Sequence, residues 1–300
     1  MKVSVVNADE SVFEDIWKGK PFSLTRDKWT FTEDLEEADY ILGYTDYLDC
    51  NKDYDLIAST EAFRLFSHKF VFVSMHDHPY FCYKDVLSIK LNCQPLYPAD
   101  INRQHRNIVI PLHMRHFDHV LQQDKEFIEE CRNMPKEYDF VFIGQIGYGN
   151  RDWMKKLLSD KFLYKQTTPI FHIQNVDERV NIMKEFCRDV AKAKFSFCPR
   201  GIGTSSFRLY QSLMVGSVPI IWGQPEMPFT HLINWRRAVA DVTDLQDEKF
   251  PVYYFKHLSD KQYNRIRSYG MNIWDKYLTC NQTDDLIITF LKNREHSIFS

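Results

Sequence analysis

The sequence predicts an α/β protein of two domains, each a parallel sheet with helices on both faces and a cleft between them. Three observations predict it. Its 300 residues fill two domains at about 100–200 residues each. Short apolar runs rich in Val, Ile and Phe alternate with stretches of helical spacing, the pattern of a parallel sheet covered on both sides. A hydrophobic content of 44% beside 26% charged residues is that of a globular core and excludes wholesale disorder.

Taken in order, strands are expected over 3–7, 40–43, 69–75, 107–111, 138–144, 195–198, 217–222 and 238–242, each a short apolar run of strand length. Helical spacing marks 122–133, 151–159, 177–192, 204–215 and 260–278, and 284–292 alternates apolar and charged faces. The break falls at Met134-Pro135, after a polar helix and before a fresh strand. It divides the chain into residues 1–134, residues 135–279 and a last segment, 280–300. No internal repeat, low-complexity tract or coiled coil interrupts this order.

Charge and cysteine usage remove several classes of function. Thirty-eight basic against 41 acidic residues leave a net charge of −3, so no overall basic field marks a nucleic-acid binder. Residues 1–60 hold 14 acidic and 6 basic side chains, so the remainder is net positive and is where an anion site is expected. The seven cysteines are scattered without a Cys-x-x-Cys pair, which argues against a zinc knuckle or a disulfide scaffold. The first seven residues read as a strand, and no apolar run reaches signal or membrane length. A soluble, cytoplasmic protein without a membrane span is expected, and the sequon Asn281 to Thr283 is then coincidental.

The most informative stretch is Phe195 to Trp222, a strand, a Gly-rich turn, a helix and a second strand. Pro199, Gly201 and Gly203 let the chain turn closely after the first strand. Thr204, Ser205 and Ser206 are good N-cap residues, and the N–H groups that start a helix attract phosphate. Arg200 and Arg208 could flank the same anion with bidentate forks. The mechanism so indicated is diphosphate binding at the carboxyl end of a parallel sheet. A capped helix with no ligand reads the same way, and neither a P-loop nor a Gly-x-Gly-x-x-Gly fingerprint is present.

This stretch resembles the signature of the exostosin-like glycosyltransferases: Cys-Pro-Arg-Gly at 198–201, the pair Ser205-Ser206, Arg208-Leu209, then Gly216-Ser-Val-Pro-Ile-Ile. Agreement extends to Phe142, Gly144, Gly147 and Arg151, to Asn107-Ile-Val-Ile-Pro111, to Met227-Pro-Phe through Trp235, and to His76-Asp77-His78. These matches run from about residue 70 to 240, over half the chain. Two departures stand out: a Gly pair is missing near Asp77, and Gln211 stands where the family often carries an acid that holds the ribose hydroxyls.

The resemblance implies a GT-B fold, two Rossmann-like domains facing each other across a cleft. The acceptor would bind the first and the nucleotide-sugar the second, with residues 280–300 packing back on the first lobe. It implies an inverting transfer of a sugar from a UDP-sugar to a glycan hydroxyl, with the donor as substrate and no permanent cofactor. Diphosphate would meet Arg200, Gly201, Thr204, Ser205, Ser206 and Arg208, with Gly144, Gly147 and Arg151 as a second wall and Gln211 near the ribose. Asp77 is the expected general base, His78 its alternative, and His76, Tyr80 and Phe81 the expected acceptor contacts. Xylose is the first guess among the family's sugars, for a short soluble member adding one sugar at a time. A GDP-sugar transferase of fucosyl type and a non-catalytic nucleotide-sugar-binding partner are the alternatives. His113, His116 and His119 at spacings of three lie only loosely on one helix face, and no nearby Cys or clear acidic partner completes a set of ligands, so no metal site is expected.

Overall fold

The computed structural model describes residues 1–7, 28–44, 50–74, 88–90, 107–109, 118–145, 161–166, 173, 175–199, 206–222, 227–242, 255 and 257–295. They gather into two compact units. The first comprises Met1–Phe117, Glu226–Phe229 and Thr279–Ser300, the second Asp118–Pro225 and Thr230–Leu278.

The first unit is laid on six strands, β1 (Lys2–Asn7), β2 (Thr30–Phe31), β3 (Tyr40–Tyr44), β4 (Phe70–Ser74), β5 (Ser88–Lys90) and β6 (Asn107–Val109). Their order is β2-β1-β3-β4-β5-β6 and every pair is parallel. Val3, Ser4, Val5 and Val6 are all buried. Successive strand residues point to opposite faces, so both faces of this sheet are covered, which is why the run is apolar throughout rather than alternating. The one hydroxyl in the run, on Ser4, donates to the Thr32 carbonyl at 2.5 Å. Between β3 and β4 lie helices α1 (Cys50–Ala58) and α2 (Glu61–Phe66), the second capped by Thr60, which accepts from the Phe63 N–H at 3.1 Å. Ala62 packs with Val6, Ala38 and Ile41, and Ile57 packs with Phe72. The last helix, α8 (Cys280–Glu295), groups with this unit. The Lys28 ammonium stands 2.7 Å from Asp285 Oδ1 and donates to the Asn281 carbonyl at 2.7 Å.

The second unit opens with α3 (Asp118–Gln123) and α4 (Lys125–Asn133) and then builds five strands, β7 (Tyr138–Ile143), β8 (Phe162–Lys165), β9 (Ala193–Pro199), β10 (Val218–Trp222) and β11 (Ala240–Asp241). The order is β11-β10-β9-β7-β8, again all parallel. Helices α5 (Val176–Ala191), α6 (Phe207–Val215) and α7 (Asp260–Ile273) alternate with the strands. One layer of the core is aromatic: Phe140 stacks on Phe195 and on Phe197 at centroid separations of 5.6 and 5.7 Å, and Phe255 and Tyr263 close over Phe195. Offset stacking at these distances adds to the area that large rings bury. Helix α5 starts at Asn175, whose side chain accepts from the Asp177 and Glu178 N–H groups, and α7 starts with a reciprocal capping box between Ser259 and Gln262.

Three strands, β2, β5 and β8, are not announced by the sequence pattern. They are two to four residues long, too short for a period to be read. The expected helix over 260–278 is α7 followed by a π-helical turn, Trp274–Leu278. The one expected over 151–159 lies outside the described residues. Among the described residues no helix is long and apolar enough to cross a membrane.

Six of the nine residues of helix α6, Leu209, Tyr210, Ser212, Leu213, Met214 and Val215, are buried. It ends at Gly216, whose φ of 72° is left-handed, and the Ser217 N–H reaches back to the Ser212 carbonyl at 2.9 Å. Only glycine enters that region without strain. A Cβ there would also stand 2.9 Å from Met271 Sδ. Three cations close the helix end: Arg132 Nε donates to the Met214 carbonyl at 2.9 Å, and Lys136 Nζ and Arg267 Nε donate to the Gly216 carbonyl at 3.0 and 2.9 Å. These satisfy the orphan carbonyls and meet the negative end of the helix dipole. Arg132 is itself held by both oxygens of Asp275, at 3.0 and 2.8 Å.

This end of α6 has two measurable effects. Gly216→Ala is expected to cost about 1–3 kcal/mol in urea unfolding, from the left-handed backbone and the Met271 contact together. Burial first, and the Arg267 guanidinium second, bring the Lys136 ammonium from 10.5 down to about 7. A lysine depressed in the folded chain weighs on stability in full below pH 7. As pH rises from about 7 toward 10.5 the unfolded chain holds the proton that the folded chain has lost, so stability rises across that window. Lys136→Met is expected to flatten this slope in unfolding curves collected from pH 6 to 10.

Candidate donor-binding site

Strand order positions a site before any side chain is considered. In the second sheet β8 lies on one side of β7 and β9 on the other, so the chain reverses direction at β7. Open parallel sheets bind ligands at such a reversal, outside the carboxyl ends of the two strands involved. Pairing of β7 with β9 runs from Tyr138↔Ala193 to Val141↔Ser196, while the strands themselves continue to Ile143 and Pro199. The two therefore part over their last residues. Beyond β7 the chain passes into Gly144, and beyond β9 into the turn that leads to α6.

The start of α6 lies at the end of β7, since Arg208 in its first turn reaches the Ile143 carbonyl. The helix begins at Phe207, not at 204, and Ser206 is its N-cap with extended backbone (φ −140°, ψ 129°). Its carbonyl accepts from Leu209 N at 3.1 Å, but its hydroxyl makes no capping bond. Ser206 is 8% exposed, and its Oγ is buried without a hydrogen-bond partner among the described residues. A buried hydroxyl left in this state costs about 1–3 kcal/mol relative to a paired one, at a helix end whose first N–H groups have no intrahelical acceptor.

Arg208, one residue into the helix, is already engaged. Its Nε donates to the Ile143 carbonyl at 2.5 Å, and its guanidinium carbon sits 5.0 Å from the centroid of the Phe142 ring. The same guanidinium fills the space that a side chain at 144 would take: a Cβ there would meet Nη2 and come within 2.8 Å of Cζ. A stitch lies beneath, where Ser212 Oγ donates to the Arg208 carbonyl at 2.6 Å and stands 3.7 Å from Cys198 Sγ, and the Cys198 thiol points to the Ser196 carbonyl at 3.4 Å. Burial pushes the Cys198 thiol up to about 11, against the Ser212 and Ser196 hydrogen bonds that favour the thiolate. It is a packing thiol and not a nucleophile.

Of the site residues expected from the sequence, the structure describes Gly144, Ser206, Arg208 and Gln211. It brings Gly144 and Arg208 into contact and leaves Gln211 half-buried one turn beyond Arg208. Gly147, Arg151, Arg200, Gly201, Thr204, Ser205, His76, Asp77, His78, Tyr80 and Phe81 lie outside the described residues, as do His113 and His116. Sequence reasoning missed Ser212 and Ser196, the buried hydroxyls beside Cys198. Their signal was a polar residue inside an otherwise apolar helix and strand. Among the described residues no three His, Cys, Asp or Glu side chains gather as a metal cluster would require.

Residues 66–247 match the family model described as the Exostosin GT47 domain, a span that contains β7, β9, α6 and β10. The chain belongs to the exostosin GT47 family. It is a nucleotide-sugar-dependent glycosyltransferase by that membership, and its two parallel α/β units are those of the GT-B class. No curated protein matches it. Among solved structures this GT47 chain is similar to a glycosyltransferase from Rickettsia africae, at 11% identity and a TM-score of 0.48 over 86% of this chain and 77% of that one. It is similar also to HepE of Anabaena in complex with UDP, at 12% identity and a TM-score of 0.49 over 86% and 79%.

Ser206→Ala tests the state of the hydroxyl in the free protein. Removing an unpartnered buried Oγ is expected to leave unfolding free energy unchanged or raise it by up to about 1 kcal/mol. A loss above about 2 kcal/mol would mean that the hydroxyl is already bonded.

Proposed function

We propose that this chain transfers a sugar from a UDP-sugar to a hydroxyl of a glycan with inversion, and that xylose is the first sugar to test. The observation that carries the reading is the unpartnered Ser206 hydroxyl, buried at the N-terminus of α6 beside the strand reversal. A diphosphate is the ligand that uses all of these at once: its oxygens accept from the hydroxyl and from the first N–H groups of the helix, and its charge meets the positive end of the dipole.

In the proposed step an acceptor oxygen attacks the anomeric carbon as the bond from that carbon to the diphosphate breaks. The electron pair leaves on the β-phosphate oxygen. The acceptor proton passes to the Asp77 carboxylate, with His78 as the alternative base, and one displacement on the anomeric carbon inverts it. Charge that develops on the departing diphosphate is met by Arg200 and by the start of α6, so this reading needs no metal there. Gly201, Thr204 and Ser205 belong to the same turn, with Gly147 and Arg151 after β7 as the opposite wall. His76, Tyr80 and Phe81 are the proposed acceptor contacts. Gln211 would hydrogen-bond the ribose hydroxyls without the charge of an acid.

The test is a donor panel of UDP-xylose, UDP-glucuronic acid, UDP-galactose, UDP-glucose and GDP-fucose in the presence of chelator, read by ligand-observed NMR for binding and slow hydrolysis. Turnover of one UDP-sugar that is lost in Asp77→Asn is the expected result. Ser206→Ala is expected to weaken UDP by about 5–10-fold, the worth of one hydrogen bond to a charged oxygen. Preference for GDP-fucose, or binding with no turnover of any donor, would replace this reading with a fucosyl-type enzyme or a non-catalytic partner.

A further inference from the structure

The engagement of Arg208 gives this residue a second task, one that rests on the donor site just proposed. Where β7 and β9 part after Val141↔Ser196, the last carbonyl of β7 no longer faces a neighbouring strand on that side. Arg208 Nε–H reaches into the gap and donates to that carbonyl, Ile143, across 65 positions of sequence. The guanidinium is then fixed on two further sides, by the Phe142 ring 5.0 Å from Cζ and by the bare Cα of Gly144. The arginine thus substitutes for a missing ladder bond. In doing so it ties the turn after β7 to the first turn of α6.

We infer that Arg208 is a positioning residue of the donor site, a lock between its two walls, and that residue 144 is glycine because the lock closes through the volume of a Cβ. The chemistry selects arginine. A flat guanidinium donates from Nε in its own plane while its face lies on a ring, whereas a lysine ammonium is a point donor that cannot hold both contacts in one geometry. Loosening the lock by Gly144→Ala or Arg208→Lys keeps the charge of the site but lets the walls move apart, and binding energy is lost because the walls must be ordered by the ligand.

The test is a double-mutant cycle on the full chain with UDP as the probe, affinities by calorimetry and melting temperatures alongside. Each of Gly144→Ala and Arg208→Ala is expected to weaken UDP by about 10-fold or more. The double variant is expected to be no weaker than Arg208→Ala alone, because without the guanidinium the added methyl has space. Losses that multiply in the double variant would overturn the lock. Arg208→Lys is the second arm and preserves the fold most closely. Poor UDP binding by it agrees with positioning, and wild-type affinity would show that charge alone suffices, which sinks the inference. Non-additivity in melting temperature with unchanged UDP affinities would make the contact purely structural and also overturn it. Failure of the unmutated chain to bind UDP is seen in the first titration and removes the donor reading itself, apart from any result with the variants.

Discussion

Met214 and Gly216 end helix α6, and their carbonyls accept from Arg132, Lys136 and Arg267, which arrive from α4, from the segment before β7 and from α7. That closure fixes one end of the helix on which the candidate site stands. A helix of nine residues is a short rod, about 1.5 Å per residue, and a rod fixed at one end and buried along its length has little freedom at the other. Its far end carries Ser206 and Arg208. The three cations tolerate one another because each is engaged by a carbonyl or by Asp275, and the ammonium of Lys136, drawn down to about 7, sheds its charge at little cost near neutral pH.

The two units share one plan, with different consequences. Each sheet is parallel and each reverses once, at β1 in the first and at β7 in the second. Both therefore present a reversal of the kind that binds ligands. Charge separates them. The acidic residues crowd into the first 60 positions, so a diphosphate approaching the molecule meets a more favourable field beyond them.

Much of this was legible in the sequence because the decisive signals are local. Strands β7, β9 and β10 read from Tyr138-Asp-Phe-Val-Phe-Ile143, Phe195-Ser-Phe-Cys198 and Val218-Pro-Ile-Ile221, which are apolar runs of strand length, and α6 read from its cap residues and its Gly216 stop. Helices α1 and α2 did not read, because Asn51, Lys52, Asp53 and Asp55 break any apolar stripe, and among the described side chains of the two helices Ile57 and Ala62 are the fully buried ones. At the site, Ser206 was legible as a cap but not as a hydroxyl without a bond. Arg208 was legible as a cation near an anion, but its partner is a carbonyl 65 residues away. Gly144 reads in sequence as part of a phosphate-approaching turn, and the contact that requires glycine there comes from a helix that no local pattern ties to it.

The buried thiols carry a consequence of another kind. Cys131, Cys187, Cys198 and Cys280 are all buried and outside any disulfide, and the first and third are held up to about 11. Cys198 lies against Ser212 of α6 and Cys131 on the buried face of α4, so a reagent that reaches either thiol reports a local opening of the packing around it. The rate at which each thiol is trapped is then a clock for a different local opening. Such clocks would time the breathing of α6 against β9 separately from that of the helix layer behind it, with no label added to the chain.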